Sequence, residues 1–176
     1  MSVSLWGFIA YLALCASVIT GTVLSSPFLR RRLAVPTRAG PLHEILSLAG
    51  LAAATIHVFQ GVLLPQGDRF LLLLFMSPGG RPSLAFTLGV AGWYGTLLAT
   101  GTFYLRNRIS SPLWRWLHAL AYPAFAAAAW HSVVIGANAW LLPIRVTYIA
   151  TLALATALMC WRLLEAAVRL RAASPS

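Results

Sequence analysis

Apolar runs of membrane-spanning length constrain the fold of this chain more than any other feature of its sequence. Five such runs, separated by short polar breaks, cover about residues 4–27, 42–64, 84–105, 114–136 and 143–164. A helix of about 20 apolar residues crosses the hydrocarbon core of a bilayer and satisfies its own backbone hydrogen bonds there. The sequence therefore predicts an all-α fold: a polytopic membrane helix bundle of about five transmembrane helices, forming one domain over residues 1–176.

The charge of the chain is strongly basic, since thirteen arginines stand against three acidic residues and give a formal net charge of +10. In a soluble protein this excess of positive charge would suggest nucleic-acid binding. Here 60% of the residues are apolar or aromatic, and the mean hydropathy is +0.80. The arginines lie in the breaks between apolar runs, which is how membrane proteins mark their cytoplasmic side. We therefore expect a lipid bilayer, and no nucleic acid, as the partner.

The distribution of the arginines predicts the orientation of the bundle. Three lie on one side of the predicted membrane, namely Arg69, Arg81 and Arg145. Ten lie on the other side: Arg30, Arg31, Arg32, Arg38, Arg106, Arg108, Arg115, Arg162, Arg169 and Arg171. The positive-inside bias then places the N-terminus outside and the C-terminus in the cytoplasm. A bacterial inner (plasma) membrane is the expected location.

All four histidines lie in two of the predicted spans. His43 and His57 are fourteen residues apart on the second span, and His118 and His131 are thirteen apart on the fourth. These spans run in the same direction because one helix intervenes, so His43 shares a depth with His118, and His57 with His131. Two imidazoles facing each other at one depth are suitable axial ligands for a heme iron. At about 1.5 Å per residue the two levels are roughly 20 Å apart, which leaves room for two b-type hemes.

Small residues accompany the histidines of the second span. Fourteen residues make about 3.9 helical turns, so His43 and His57 share a face. That face also carries Ser47, Gly50 and Ala54. We expect the small side chains of Gly50 and Ala54 to let a flat porphyrin lie close to the helix backbone.

The spacing on the fourth span is less regular. Thirteen residues make about 3.6 turns, which would point His131 away from His118 on a straight helix. Pro123 lies between them and could kink the helix. Alternatively, two hemes could approach the span from different sides, and the sequence leaves both arrangements open.

Histidines in membrane helices can also serve in packing or in other metal centres. A single histidine in a membrane helix is about as often a packing residue, hydrogen-bonded to a neighbouring carbonyl, as it is a ligand. Zinc and di-iron centres usually recruit Cys, Asp or Glu as well, and the nearby candidate is Glu44. Two matched pairs favour four heme ligands over either alternative. Arg38 and Arg115 are candidates to bind heme propionates on the inner side, although the positive-inside bias already accounts for arginines there.

Two segments carry a resemblance to a known family. Residues 41–50 and 56–57 around the first histidine pair, and residues 114–122 and 130–131 around the second, resemble the ferric reductase-like transmembrane domain. This superfamily includes NADPH oxidases, ferric reductases and the heme-binding membrane subunit of methionine sulfoxide reductase. The resemblance covers about residues 40–165. It implies a diheme cytochrome b domain with bis-histidine hemes that pass electrons from the cytoplasmic side outward.

The sequence also departs from that family. Members usually have six spans, whereas five are predicted here. The flavin and nicotinamide domain that follows the bundle in oxidases and reductases is not expected in this chain, because the sequence contains no Gly-rich dinucleotide fingerprint. We therefore expect a separate flavin reductase or a quinol as electron donor, and an outer-side redox protein or small oxidant as acceptor. Two other hypotheses stay open. The chain could be the quinol-oxidising anchor subunit of a larger respiratory or photosynthetic complex, or a structural membrane subunit.

Overall fold

The computed structural model describes residues 3–36, 39–62, 83–136 and 139–173. This part of the chain contains α-helices and no strand, in agreement with the predicted all-α class. In chain order the helices are α1 (Val3–Ser25), α2 (Pro27–Arg32), α3 (Gly40–Val62), α4 (Leu84–Leu105), α5 (Ser111–Ala119), α6 (Ala121–Ile135) and α7 (Leu142–Ala173).

Four of these helices are long and apolar enough to cross a membrane. Their candidate spans are Leu5–Ser25 in α1, Gly40–Gln60 in α3, Leu84–Leu105 in α4 and Leu142–Val168 in α7. They coincide with the first, second, third and fifth predicted runs. The fourth predicted run, residues 114–136, is instead divided between two shorter helices, α5 and α6.

The division between α5 and α6 falls at Leu120, three residues before Pro123. A proline ring clashes with the carbonyl of the residue four positions earlier, which here is Ala119, the last residue of α5. The backbone N–H of Leu120 consequently bonds to the carbonyl of Leu117, a tighter 3₁₀-type turn. Pro123 therefore explains the interruption of the helix between His118 and His131. A helix distorted at Pro123 was one of the two arrangements that the sequence left open.

Close helix contacts in the bundle depend on small residues. α1 packs along α3, and α4 packs along α6. On α4, Gly92 and Gly95 lie against Ala124 of α6, so closely that an added Cβ at Gly95 would lie 2.7 Å from the Cβ of Ala124. Ala99 of α4 is also buried. In an apolar solvent such contacts are what hold helices together, because there is little hydrophobic gain from burying one apolar side chain against another.

Polar bonds connect the α1–α3 pair to the other helices. The Tyr11 hydroxyl of α1 donates to the backbone carbonyl of Tyr148 in α7 at 3.0 Å. The Thr22 and Tyr122 hydroxyls join α1 to α6 at 2.9 Å. On the other flank, the indole N–H of Trp93 in α4 donates to the hydroxyl of Thr55 in α3 at 3.1 Å. These bonds fix the depth of α1 and α3 relative to α4, α6 and α7.

Candidate functional site

The four histidines form two facing pairs. His43 of α3 lies opposite His118 of α5, with ring centres 6.1 Å apart and ring planes at 87°. His57 of α3 lies opposite His131 of α6, with ring centres 6.2 Å apart and planes at 75°. The structure thus brings together the two pairs that the histidine spacing predicts. Their near-identical separation, at opposite ends of α3, makes two similar sites at two depths.

Backbone carbonyls fix the tautomer of three of these imidazoles. Nδ1 of His43 donates to the carbonyl of Ser17 at 2.9 Å. Nδ1 of His131 donates to the carbonyl of Ala85 at 3.0 Å, and Nδ1 of His118 to that of Ala99 at 3.3 Å. A carbonyl only accepts hydrogen bonds, so in a neutral ring the proton is on Nδ1 and the lone pair is on Nε2.

This arrangement of partners is shared by ligating histidines and by packing histidines in membrane helices. A ligating imidazole generally donates its other ring N–H to a carbonyl or carboxylate, which fixes the ring and raises the basicity of the ligating nitrogen. In each of the three bonds the acceptor belongs to a neighbouring helix, α1 for His43 and α4 for His118 and His131. The helix packing itself therefore presets the ring orientations.

Glycines on α1 and α4 make room for three of the rings. A Cβ added at Gly21 would lie 2.8 Å from Cε1 of His43, and one at Gly7 would lie 3.1 Å from Cε1 of His57. On α4, a Cβ at Gly89 would overlap the ring of His131. These glycines were not among the site residues predicted from the sequence. Their spacing could have indicated this role, because Gly7 and Gly21 are fourteen residues apart, like the histidines that they face.

Gly50 has a different position from the one expected. We expected it to leave room for a macrocycle, but Leu14 of α1 fills this space: a Cβ at Gly50 would lie 2.7 Å from Cδ2 of Leu14 and 3.1 Å from its backbone nitrogen. Gly50 therefore serves the contact between α1 and α3. Ala54, one turn further along α3, is half-buried, and its predicted contact with a macrocycle stays a prediction.

The level of His43 and His118 contains an aromatic side chain with an unused donor. The indole of Trp114 stacks on the His118 ring, with ring centres 5.4 Å apart and planes at 21°. Its Nε1 is buried and has no hydrogen-bond partner within the described ranges. A buried donor without an acceptor is costly. Of the two candidate propionate-binding arginines, Arg115 is exposed on α5, and Arg38 lies outside the described residues.

Over the described residues, the fold is all-helical, with four helices suited to cross a membrane and two close pairs of histidines at two levels along α3. Among the described residues, no group of three or more His, Cys, Asp or Glu side chains is arranged to hold a metal ion. Comparison with protein-family models, with curated proteins and with solved structures finds no match.

Proposed function

We propose that this chain is a diheme b-type membrane cytochrome that carries electrons across the bilayer between a cytoplasmic donor and an outer-side acceptor. The observation that carries the proposal is the separation of the two imidazole pairs, 6.1 and 6.2 Å between ring centres. Two imidazole nitrogens on opposite sides of one metal, each about 2.0 Å from it and about 1.2 Å from its own ring centre, would put the ring centres about 6.4 Å apart. Both observed separations are within about 0.3 Å of this value.

The number of ligands supports heme over a bare metal ion. A porphyrin occupies the four equatorial positions of its iron, so the protein supplies only the axial ligands. Each level offers one imidazole from α3 and one from the α5–α6 segment. The carbonyls of Ser17, Ala85 and Ala99 favour the tautomer with a free lone pair on Nε2. At the level of His118, the buried N–H of Trp114 is a suitable donor to a propionate oxygen.

The proposed electron transfer depends on the heme and on the positions of the histidine pairs. A b-type heme, when bound, supplies a reversible one-electron couple between ferric and ferrous iron. The chain would contribute the imidazoles that hold the heme, their orientation, and an apolar surrounding that excludes water. At about 1.5 Å per residue along α3, the levels of His43 and His57 are roughly 20 Å apart, so two groups held there would fit within a hydrocarbon layer of about 30 Å.

The membrane arrangement in this proposal has five spans, with α5 and α6 together forming the fourth, broken at Leu120. The sequence, with ten arginines predicted on one side and three on the other, supports an N-terminus outside and a C-terminus in the cytoplasm of a bacterial inner membrane. His43 and His118 then form the inner site, and His57 and His131 the outer site. The likeness of the histidine segments to the ferric reductase-like superfamily supports the same direction, with a separate flavin reductase or a quinol as donor.

Heme content and pair-specific loss test the proposal. We expect the purified chain to carry two low-spin b-type hemes, measured as pyridine hemochrome per chain. His43→Ala and His118→Ala should each remove one and the same heme, and His57→Ala and His131→Ala the other. A chain that binds zinc and no iron would contradict the proposal. So would a chain in which His43 and His131 behave as a pair.

The donor is tested by rapid mixing. In one experiment the diheme protein is mixed with flavin reductase and NAD(P)H, and in a second experiment with a quinol. Heme reduction is followed by absorbance in both. The faster donor identifies the pathway. Reduction by the quinol alone would favour the anchor subunit of a quinol-oxidising complex, and the absence of any redox-active heme would favour a structural subunit.

A further inference from the structure

A chain of hydrogen bonds starts and ends at His43. Nδ1 of His43 lies 3.2 Å from Oγ of Ser17 on α1, in addition to its bond to the Ser17 carbonyl at 2.9 Å. The Ser17 hydroxyl lies 2.7 Å from the hydroxyl of Ser47 on α3. The Ser47 hydroxyl in turn donates to the backbone carbonyl of His43 at 2.8 Å. Ser17 is buried, so this network is sheltered from competing solvent.

The direction of every bond in this chain can be assigned. The Ser47 hydroxyl has one proton, which it donates to the His43 carbonyl, so in the Ser17–Ser47 bond Ser47 is the acceptor and Ser17 the donor. With its proton committed to Ser47, the Ser17 oxygen faces Nδ1 of His43 as an acceptor. Nδ1–H therefore donates to both oxygens of Ser17, its carbonyl and its hydroxyl.

We propose that Ser17 and Ser47 are positioning residues that lower the midpoint potential of the heme held by His43. This inference rests on the proposed function. Two acceptors on Nδ1–H draw its proton away from the ring, which makes Nε2 a stronger electron donor to the iron and favours the ferric form. Ser47 strengthens the effect indirectly, because a hydroxyl that donates a hydrogen bond becomes a better acceptor.

The proposal predicts a graded effect on one heme. Ser17→Ala removes the hydroxyl acceptor but keeps the Ser17 carbonyl, so His43 stays oriented and the inner heme is retained. Its midpoint potential should rise. Ser47→Ala removes the acceptor of the Ser17 hydroxyl, and a smaller rise is expected. Neither change should move the potential of the outer heme, held by His57 and His131.

Ser132 offers a matched control. It lies next to His131 on α6, and its hydroxyl donates to the Ala128 carbonyl of its own helix at 2.9 Å. Ser132→Ala thus removes a hydroxyl of the same kind, beside a histidine of the other pair, from an ordinary helical bond. We expect it to leave both potentials unchanged.

The experiment is a spectroscopic redox titration of the full-length diheme protein and its three variants, with heme content measured in parallel. The inner heme is identified as the one that His43→Ala removes. A selective rise, larger in Ser17→Ala than in Ser47→Ala and absent in Ser132→Ala, supports the proposal.

Other outcomes overturn it. Two bound hemes with no shift, or an equal shift of both hemes, would refute the inference while leaving the proposed function intact. Loss of the inner heme in both serine variants would mean that the hydroxyls hold the site together and do not tune it. An unaltered protein without heme would instead refute the proposed function, and the inference with it.

Discussion

Substitution of Gly89 by alanine tests whether the packing of α4 holds His131 in place. The new Cβ would lie 2.7 Å from Cγ and 2.8 Å from Cε1 of the His131 ring, roughly 1 Å closer than carbon atoms pack at about 3.5–4.0 Å. The ring is tied to α4 by its bond to the Ala85 carbonyl at 3.0 Å. To relieve the overlap, either this bond must break or α6 must move away from α4.

The size of the effect can be estimated against a matched control on the same helix. A Cβ added at Gly101 meets nothing within 4 Å. Both Gly89→Ala and Gly101→Ala gain about 1 kcal/mol of helix propensity, so this contribution cancels in the comparison. Overpacking at Gly89 costs about 1–3 kcal/mol, and loss of the His131 hydrogen bond about 1 kcal/mol more. The free energies of unfolding of the two variants should therefore differ by about 2–4 kcal/mol.

Two measurements on protein in detergent micelles check this reasoning. Equilibrium unfolding compares the stabilities of the two variants, and heme content compares their sites. Gly101→Ala should keep both hemes, whereas Gly89→Ala should lose the heme of His57 and His131 and keep the other. If Gly89→Ala is as stable as Gly101→Ala and keeps two hemes with an unchanged spectrum, α4 does not confine His131.

Further substitutions test the other contacts. Gly50→Ala should lower the stability of the bundle by overlap with Leu14, and Leu14→Ala in the same chain should restore part of the loss, giving a coupling energy of about 0.5–3 kcal/mol in equilibrium unfolding. Trp114→Phe keeps an aromatic ring on His118 but removes the buried N–H; loss of a bond of about 1.5–3 kcal/mol to a propionate should speed transfer of the inner heme to apomyoglobin by roughly 10- to 100-fold. An unchanged transfer rate would exclude that bond. A reporter fused to the C-terminus should be active in the cytoplasm, and a periplasmic signal would exchange the inner and outer labels.

Much of this architecture follows from one-dimensional features of the sequence. The apolar runs predict where the long helices lie, since bilayer thickness sets their length. The pairing of His43 with His118 and of His57 with His131 follows from helix direction and rise alone, because equal depths come from counting residues. The break at Leu120 was one of two arrangements that the thirteen-residue spacing allowed, and sterics at Pro123 account for it.

The neighbours of the histidine face could not be predicted in the same way. Periodicity shows that Ser47 and Gly50 share a face of α3 with the histidines, but it does not show which helix covers that face. We assigned the space beside Gly50 to a macrocycle, whereas Leu14 of α1 occupies it. On the same face, the Ser17 hydroxyl of α1 lies against Ser47. Helix rotation is a tertiary property, and lipid-exposed and buried faces of a membrane helix are both apolar.

The sequence nevertheless contains a pattern that pairs α1 with α3: their side-chain sizes are complementary. Along α1, positions 7, 14 and 21 read Gly, Leu, Gly, and they meet positions 57, 50 and 43 of α3, which read His, Gly, His. Seven residues make about two helical turns, so each set lies along one face. At every level a glycine on one helix meets a larger side chain on the other. Two antiparallel helices with such complementary faces can pack closely only in this register, so the same contacts that join α1 to α3 also hold both histidines of α3 at their depths.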